Sequence, residues 1–351
     1  MKKTILFAAL GLLGLAACNV LEPSNEFTGE GELVISVKSD DGGLTKADTA
    51  PFGKDADIRD VQLFLFLPDG TLYLRKTMDG DNLSLSLDRV RTGTYSIVAV
   101  ANAPEMNTIV NKSELERTAV SLELNDPDRG FLMYGETSQT VGTSTGSAAA
   151  RAEITVRRLV GRVRLTSVTN HLPASYGSLT VEYAFLENGM RSWNLSAQGS
   201  PSGYVNFAGR KSPGSASGTP ADYIASAGDA ECPNLTFHAV NQTVAWNATR
   251  SFDLPFYCFP NSLTEADDHF DGATSRDACV RLVLRGSYGE SHQWYYPVTI
   301  PNLERNKSYD VSFIISGPGS EDPNQKVTMG GLSVVVRVDP WQAGREIEGE
   351  F

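Results

Sequence analysis

Apolar residues along most of this chain recur every second position rather than every 3.6, and that alternation confines it to β-strands. Leu83, Leu85 and Leu87 alternate with serines and Asp88, leaving one apolar face. The run Val61-Gln62-Leu63-Phe64-Leu65-Phe66-Leu67 carries β-formers on both faces, stops at Pro68-Asp69-Gly70 and resumes as Leu72-Tyr73-Leu74. This reads as a buried strand, a turn and a returning strand. A second two-sided run, Tyr95 to Val100, follows Gly93. Further strands are expected at 154–156, 163–168, 179–186, 280–284, 294–300, 311–315 and 332–338. A single short helix is expected, near Met106 to Leu115. Many short strands parted by Gly, Asn and Pro predict an all-β chain built of sandwiches rather than a parallel α/β sheet.

A chain of 351 residues is too long for one ordinary core, so two domains are expected. Low-complexity residues Thr137 to Ala150 precede a strand pair around Arg157, which sets the expected domains at 18–157 and 158–351. A second Ser, Gly and Pro-rich stretch, Ser196 to Thr219, reads as a loop inside the second domain. The formal charge of −12, without clustered Lys and Arg, argues against a nucleic-acid partner and leaves proteins or sugars.

At the N-terminus Lys2 and Lys3 precede the apolar run Ile5 to Leu15 and the small residues before Cys18. That is a secretory signal, residues 1–17, whose cleavage between Ala17 and Cys18 leaves a lipidatable cysteine. The run is shorter than the roughly 20 residues needed to span a bilayer, so acyl chains on Cys18 are the expected membrane attachment. Cys232, Cys258 and Cys279 remain, an odd number that allows at most one bridge. Their spacing gives no metal or redox motif, and Cys258 in FYCF reads as a buried strand residue.

No catalytic constellation, metal site or cofactor motif emerges. Gly142-Thr143-Ser144-Thr145-Gly146 matches the nucleophile elbow, but an elbow needs a buried strand before it and a helix after it. Here the neighbours are Ser, Thr, Gly and Ala, a loop composition. Asp267-Asp268-His269-Phe270-Asp271-Gly272 is similar to the start of a calcium loop, yet position twelve is Ala278 instead of the closing glutamate. His171, His238 and His292 form no ligand pattern. The sequence gives no reason to expect an enzyme.

Several segments together resemble the fimbrillin superfamily of Bacteroidetes surface fimbriae. They are the lipobox ending at Cys18, DVQLFLFLPDGTLY, RTGTYSIVAVANAP, FLMYGET around Tyr134 and ITVRRLVGRVRL. In the second half they continue with YCFPNS, NLERNKSYDVSFIISGPGSEDP and VVVRVDPW ending at Trp341. The resemblance implies two tandem transthyretin-like β-sandwiches and a structural role in an adhesive, biofilm-forming filament. It also implies other fimbrillin subunits as partners, attachment to the outer membrane through lipid on Cys18, and host or bacterial surface receptors.

In that family's scheme a trypsin-like protease removes the first strand, and the next subunit's strand fills the groove. Leu33, Ile35 and Val37 form a short alternating strand here, and the loop after it holds the cleavable Lys46-Ala47 bond, with Arg59 as a second candidate. Residues Gln342 to Phe351 offer only Ile347 and Phe351 as apolar anchors, a poor strand to donate, which favours a base subunit over a stalk or tip subunit. The alternative from another class is a surface glycan-binding lipoprotein using Trp193, Trp246, Trp294 or Trp341 as stacking platforms, although such residues ordinarily serve as core or strand-end aromatics.

Overall fold

The computed structural model describes residues 29–40, 55, 57–143, 148–211, 219–268, 277–289, 292–325, 327 and 332–340. The first half contains β1 (Glu30–Ser39), β2 (Asp60–Phe66), β3 (Leu72–Asp79), β4 (Ser84–Arg91), β5 (Gly93–Ala101), α1 (Lys112–Arg117), β6 (Ala119–Ser121), β7 (Met133–Val141) and β8 (Ala150–Arg158). Two layers form, β3-β2-β5-β7 and β8-β1-β4. They join at one corner, where Met133 and Tyr134 pair with Arg158 and Arg157. Between the layers lies a core that includes Leu33, Ile35, Leu63, Leu65, Ile97 and Ile154. This is the first sandwich.

The second half contains β9 (Gly161–Asn170), β10 (Leu179–Glu187), β11 (Gly189–Asn194), β12 (Ser202–Val205), α2 (Pro233–Thr236), β13 (Phe237–Val244), β14 (Ala248–Cys258), β15 (Val280–Tyr288), β16 (His292–Ile300), β17 (Lys307–Ile315) and β18 (Leu332–Pro340). Its sandwich packs β13-β10-β15-β16 on β14-β9-β17-β18. The architecture is all-β in two tandem sandwiches.

The two-sided apolar runs have a direct structural reason. In β2 and β5, Val61, Leu63, Leu65, Tyr95, Ile97 and Ala99 point into the first sandwich. Phe64, Phe66, Val98 and Val100 point the other way, into an apolar cluster that continues through Ile109, Leu115 and Val120 to the second sandwich. A sheet buried on both faces cannot alternate apolar with polar. Gln62, the polar exception in β2, is buried and satisfied by the loop over it: its amide donates to the carbonyls of Ala103 (3.2 Å) and Pro104 (2.9 Å), and its oxygen accepts from the Met106 N–H at 2.9 Å. Backbone pairing joins the halves too, because β6 pairs with β11, Val120 opposite Trp193.

Three local expectations shift. The helix lies at Lys112–Arg117, six residues later than its expected start at Met106, because Asn111 caps it. The Asn111 side chain accepts from the Glu114 N–H at 2.8 Å, and Glu114 Oε2 accepts from the Val110 N–H at 3.0 Å, a reciprocal arrangement that fixes the first turn. Thr137 to Val141, the start of the low-complexity stretch, belong to the strand β7. The stretch from Ser196 holds a strand, β12, paired to β11.

A buried charge group organises the second sandwich. Arg281 reaches Glu187 at 3.2 Å and Asp268 at 2.6 Å, all three nearly inaccessible to solvent. Burial pushes the Glu187 carboxyl up to about 8 against the pull of Arg281, with Asp322 and Asp268 adding repulsion. One guanidinium between two carboxylates leaves the proton on the more deeply buried one. A carboxyl raised in the folded state contributes stability below its unfolded pKa that is lost as pH rises through the folded value. Wild type is therefore expected to lose stability relative to Glu187→Gln between pH 4.5 and 8. The slope should approach about 1.4 kcal/mol per pH unit. Urea titrations of both proteins at the two limits measure this, and a gap that does not change with pH would show Glu187 ionised throughout.

Candidate functional site

Of the features singled out in the sequence, the alternating segment Leu33, Ile35 and Val37 is the strand β1. Its side chains alternate cleanly, with Leu33, Ile35 and Val37 at 0, 0 and 5% exposure while Glu32, Ser36 and Lys38 face solvent. Both backbone edges are used. Antiparallel to β4, Leu33 faces Leu87 and Ile35 faces Leu85; parallel to β8, residues Leu33 to Ser39 face Ala150 to Val156. Lys38 pairs across the sheet with Glu153. The first strand is thus an inner strand, and its absence would bare a groove between β4 and β8 with unpaired backbone on both sides.

Chemistry at the junction between the sandwiches pins the chain on either side of residues 41–54. After β1, Asp40 Oδ2 accepts from Arg157 Nε at 2.8 Å and from Asn306 Nδ2 at 3.2 Å. Asp55 is buried, and its carboxylate accepts from Tyr257 Oη at 3.0 Å and from Arg162 at 3.1 Å. Arg158 donates to the Asp55 carbonyl at 2.7 Å and to Asn306 Oδ1 at 3.0 Å. Burial raises the Asp55 carboxyl above its ordinary value, and Arg162 and Tyr257 counter that rise. The ring of Phe131 packs 4.6 Å from that of Tyr257. Sequence reasoning missed this knot: Asp55 has no local signature, and only the arginine-rich ITVRRLVGRVRL segment pointed towards it.

Ala17, Cys18, Lys46 and Ala47 lie outside the described residues. Arg59 lies within them and is tied down although exposed. Its N–H donates to Asn102 Oδ1 at 2.9 Å, its carbonyl accepts from the Gly80 N–H at 2.7 Å, and its guanidinium donates to the Asp128 carbonyl. The bond after it enters β2 directly. A protease must draw several residues into extended conformation, which at Arg59 would break all three contacts.

Other singled-out residues are absorbed by the fold. Gly142 and Thr143 follow β7, and the next element is the strand β8 rather than a helix; Ser144, Thr145 and Gly146 lie outside the described residues. Asp267 accepts from Thr264, and Asp268 is bound to Arg281. Among the described residues no group of His, Cys, Asp and Glu is arranged to hold a metal ion. Cys232 and Cys258 are free thiols, and burial pushes Cys258 up to about 12 and Cys232 up to about 11, while Cys279 Sγ donates to the Thr264 carbonyl at 3.4 Å. Such thiols are protonated near neutrality and inert. Trp193 is buried in the core and Trp294 packs on it. Trp246 differs: it is 52% exposed, its indole N–H donating to the Leu172 carbonyl at 2.9 Å. Trp341 lies outside the described residues.

Comparison with known proteins converges on one group. Residues 31–246 match the family model of fimbrillin-A associated anchor proteins Mfa1 and Mfa2. A fimbrilin from Porphyromonas gingivalis W83 superposes with a TM-score of 0.60 at 15% identity, over 91% of this chain and 100% of that one. A candidate cell-adhesion protein from Bacteroides eggerthii DSM 20697 superposes with a TM-score of 0.61 at 17% identity, over 89% and 96%. A third, from Parabacteroides distasonis ATCC 8503 and of the same description, gives 0.59 at 17%, over 90% and 100%. At these identities the solved structures establish the shared fold.

Proposed function

This chain belongs to the family of fimbrillin-A associated anchor proteins, Mfa1 and Mfa2, and from that premise we propose that it is the lipid-anchored base subunit of a cell-surface fimbrium. The family is one of fimbrial structural proteins, so the chain is a structural subunit and not an enzyme. The base position adds three statements: acyl chains on Cys18 hold it to the outer membrane, other fimbrillin subunits are its partners, and the joint between them is a donated strand. Adhesion to surfaces and support of biofilm follow from the filament it roots.

The observation that carries the joint is the placement of β1. It sits between β4 and β8 with both edges paired, and only three side chains seal the core beneath it. A strand from a neighbouring subunit can supply the same hydrogen bonds and the same apolar face, which is β-augmentation in an inner position. Because β1 lies between Cys18 and Lys46, a cut after Lys46 puts the lipid and the strand on one fragment, separate from the rest of the subunit. A base subunit that keeps its lipid therefore keeps β1 tethered, and the incoming strand displaces it rather than replacing an excised one.

A second reading, a stalk or tip subunit, follows if the Lys46–Ala47 bond is cut. Lys46 suits that role better than Arg59: a cut after Lys46 leaves Asp55 in place, whereas a cut after Arg59 would take Asp55 away from Arg162 and Tyr257. Intact mass and N-terminal analysis of the native protein, from sheared fimbriae and separately from the residual outer membrane, decides between them. An acylated Cys18 terminus confined to the membrane fraction is expected for the base subunit. An Ala47 terminus in sheared filaments would overturn that assignment and establish a processed stalk or tip subunit.

A further inference from the structure

The groove under β1 contains a steric feature that its apolar lining does not convey. Where β1 begins, the end of β7 crosses over it. A Cβ placed on Gly31 would lie 2.0 Å from the Gly142 carbonyl oxygen and 2.8 Å from a Val141 methyl. The first obstruction is backbone and cannot rotate aside. On the other edge the pairing of β1 with β4 shifts register between Gly31 and Leu33, where β4 carries one extra residue.

We infer that this crossing is a register gauge for whichever strand occupies the groove: it admits only a segment reading Gly-x-apolar-x-apolar-x-apolar, running parallel to β8. The inference rests on the donated-strand reading above and specifies the partner that reading requires. An alternating apolar strand is degenerate by itself, because a slip of two residues keeps the same side chains on the same face. The crossing removes that degeneracy. Sliding β1 by two in one direction brings Leu33 under the Gly142 carbonyl, where no side chain fits. Sliding it by two in the other direction brings Gly29 under the carbonyl and Gly31 into the place of Leu33, which empties a fully buried position. One register satisfies both the crossing and the core.

The selectivity is therefore for absence of a side chain at one position, a rejection rather than an attraction. Strands of equal hydrophobicity without the glycine are refused, and discrimination of this kind is stronger than one methylene more or less in an apolar pocket provides. Glu32, next to the crossing but pointing to solvent, carries none of it.

The test uses the full chain with a specific-protease recognition sequence in place of residues 43–48, nicked there with β1 left seated. Fluorescent peptides covering residues 28–40 are offered in excess, and exchange into the groove is followed by anisotropy. The native and Glu32→Ala peptides are expected to seat equally, the Gly31→Ala peptide at least tenfold more weakly, and the Gly31→Val peptide not at all. Equal seating of the glycine variants overturns the gauge while the exchangeable strand stands. If even the native peptide fails to displace β1, strand exchange itself is wrong, and the gauge falls with it.

Discussion

Replacing Ile35 with aspartate is expected to leave no folded first sandwich at 25 °C. Ile35 is fully buried at the centre of β1, and its side chain enters the core formed with Leu63, Leu65, Ile97 and Ile154. Removing a buried isoleucine side chain typically costs about 2 to 5 kcal/mol through lost transfer energy and the cavity left behind. A carboxylate in that cavity has no partner and adds several kcal/mol more, unless it stays protonated. The total is of the order of a domain's whole stability, roughly 5 to 15 kcal/mol. Urea denaturation followed by circular dichroism, with limited proteolysis alongside, measures it. Glu32→Lys, three residues away on the opposite face of the same strand and facing water, is the control and should shift stability by no more than about 0.5 kcal/mol. An Ile35→Asp protein that melts cooperatively within about 1 kcal/mol of wild type would mean that β1 is not integral to the sandwich.

The second large effect is expected at Asp55. Its carboxylate meets Arg162 and Tyr257 where neither can reach water, Arg162 being 3% exposed. Truncation to alanine removes the countercharge of Arg162 and the acceptor of the Tyr257 hydroxyl, and breaking a buried pair in this way costs about 3 to 5 kcal/mol. Asp40→Ala, whose partner Arg157 is 56% exposed, should cost no more than about 1 kcal/mol. A double-mutant cycle sharpens the contrast. Combining Asp55→Ala with Arg162→Met should recover much of the loss, because the stranded charge leaves with its partner. Equal losses for Asp55→Ala and Asp40→Ala in denaturant titrations would show that the junction knot contributes no more than a surface contact.

Much of the sandwich architecture was readable from spacing. Leu83, Leu85 and Leu87 were recognisable as one face of a strand because that strand is covered on one side only. The two-faced runs at 61–67 and 95–100 were recognisable as buried strands, but what covered their second face was not. That depends on α1, β6 and the second sandwich, and nothing in a local period reports a partner a hundred residues away. The helix was misplaced because its start is fixed by the reciprocal Asn111 and Glu114 bonds rather than by apolar spacing. At the candidate site, Leu33, Ile35 and Val37 announced the strand by alternation. Asp55 announced nothing, since a single aspartate reads as a surface residue until Arg162 and Tyr257 are folded around it. Gly31 was equally silent, because the carbonyl that makes a glycine necessary there belongs to Gly142, on another strand.

The sheet formed by β2 and β5 is shared, one face lining the first sandwich and the other facing the second. In mechanical terms this makes the joint a weld rather than a hinge. Bending one sandwich against the other would have to shear an apolar layer continuous across the joint, peel β6 from β11 and break the Asp55 knot together. Torque applied to either sandwich is therefore passed to the other with little lost in flexing, and the subunit works as a single stiff lever.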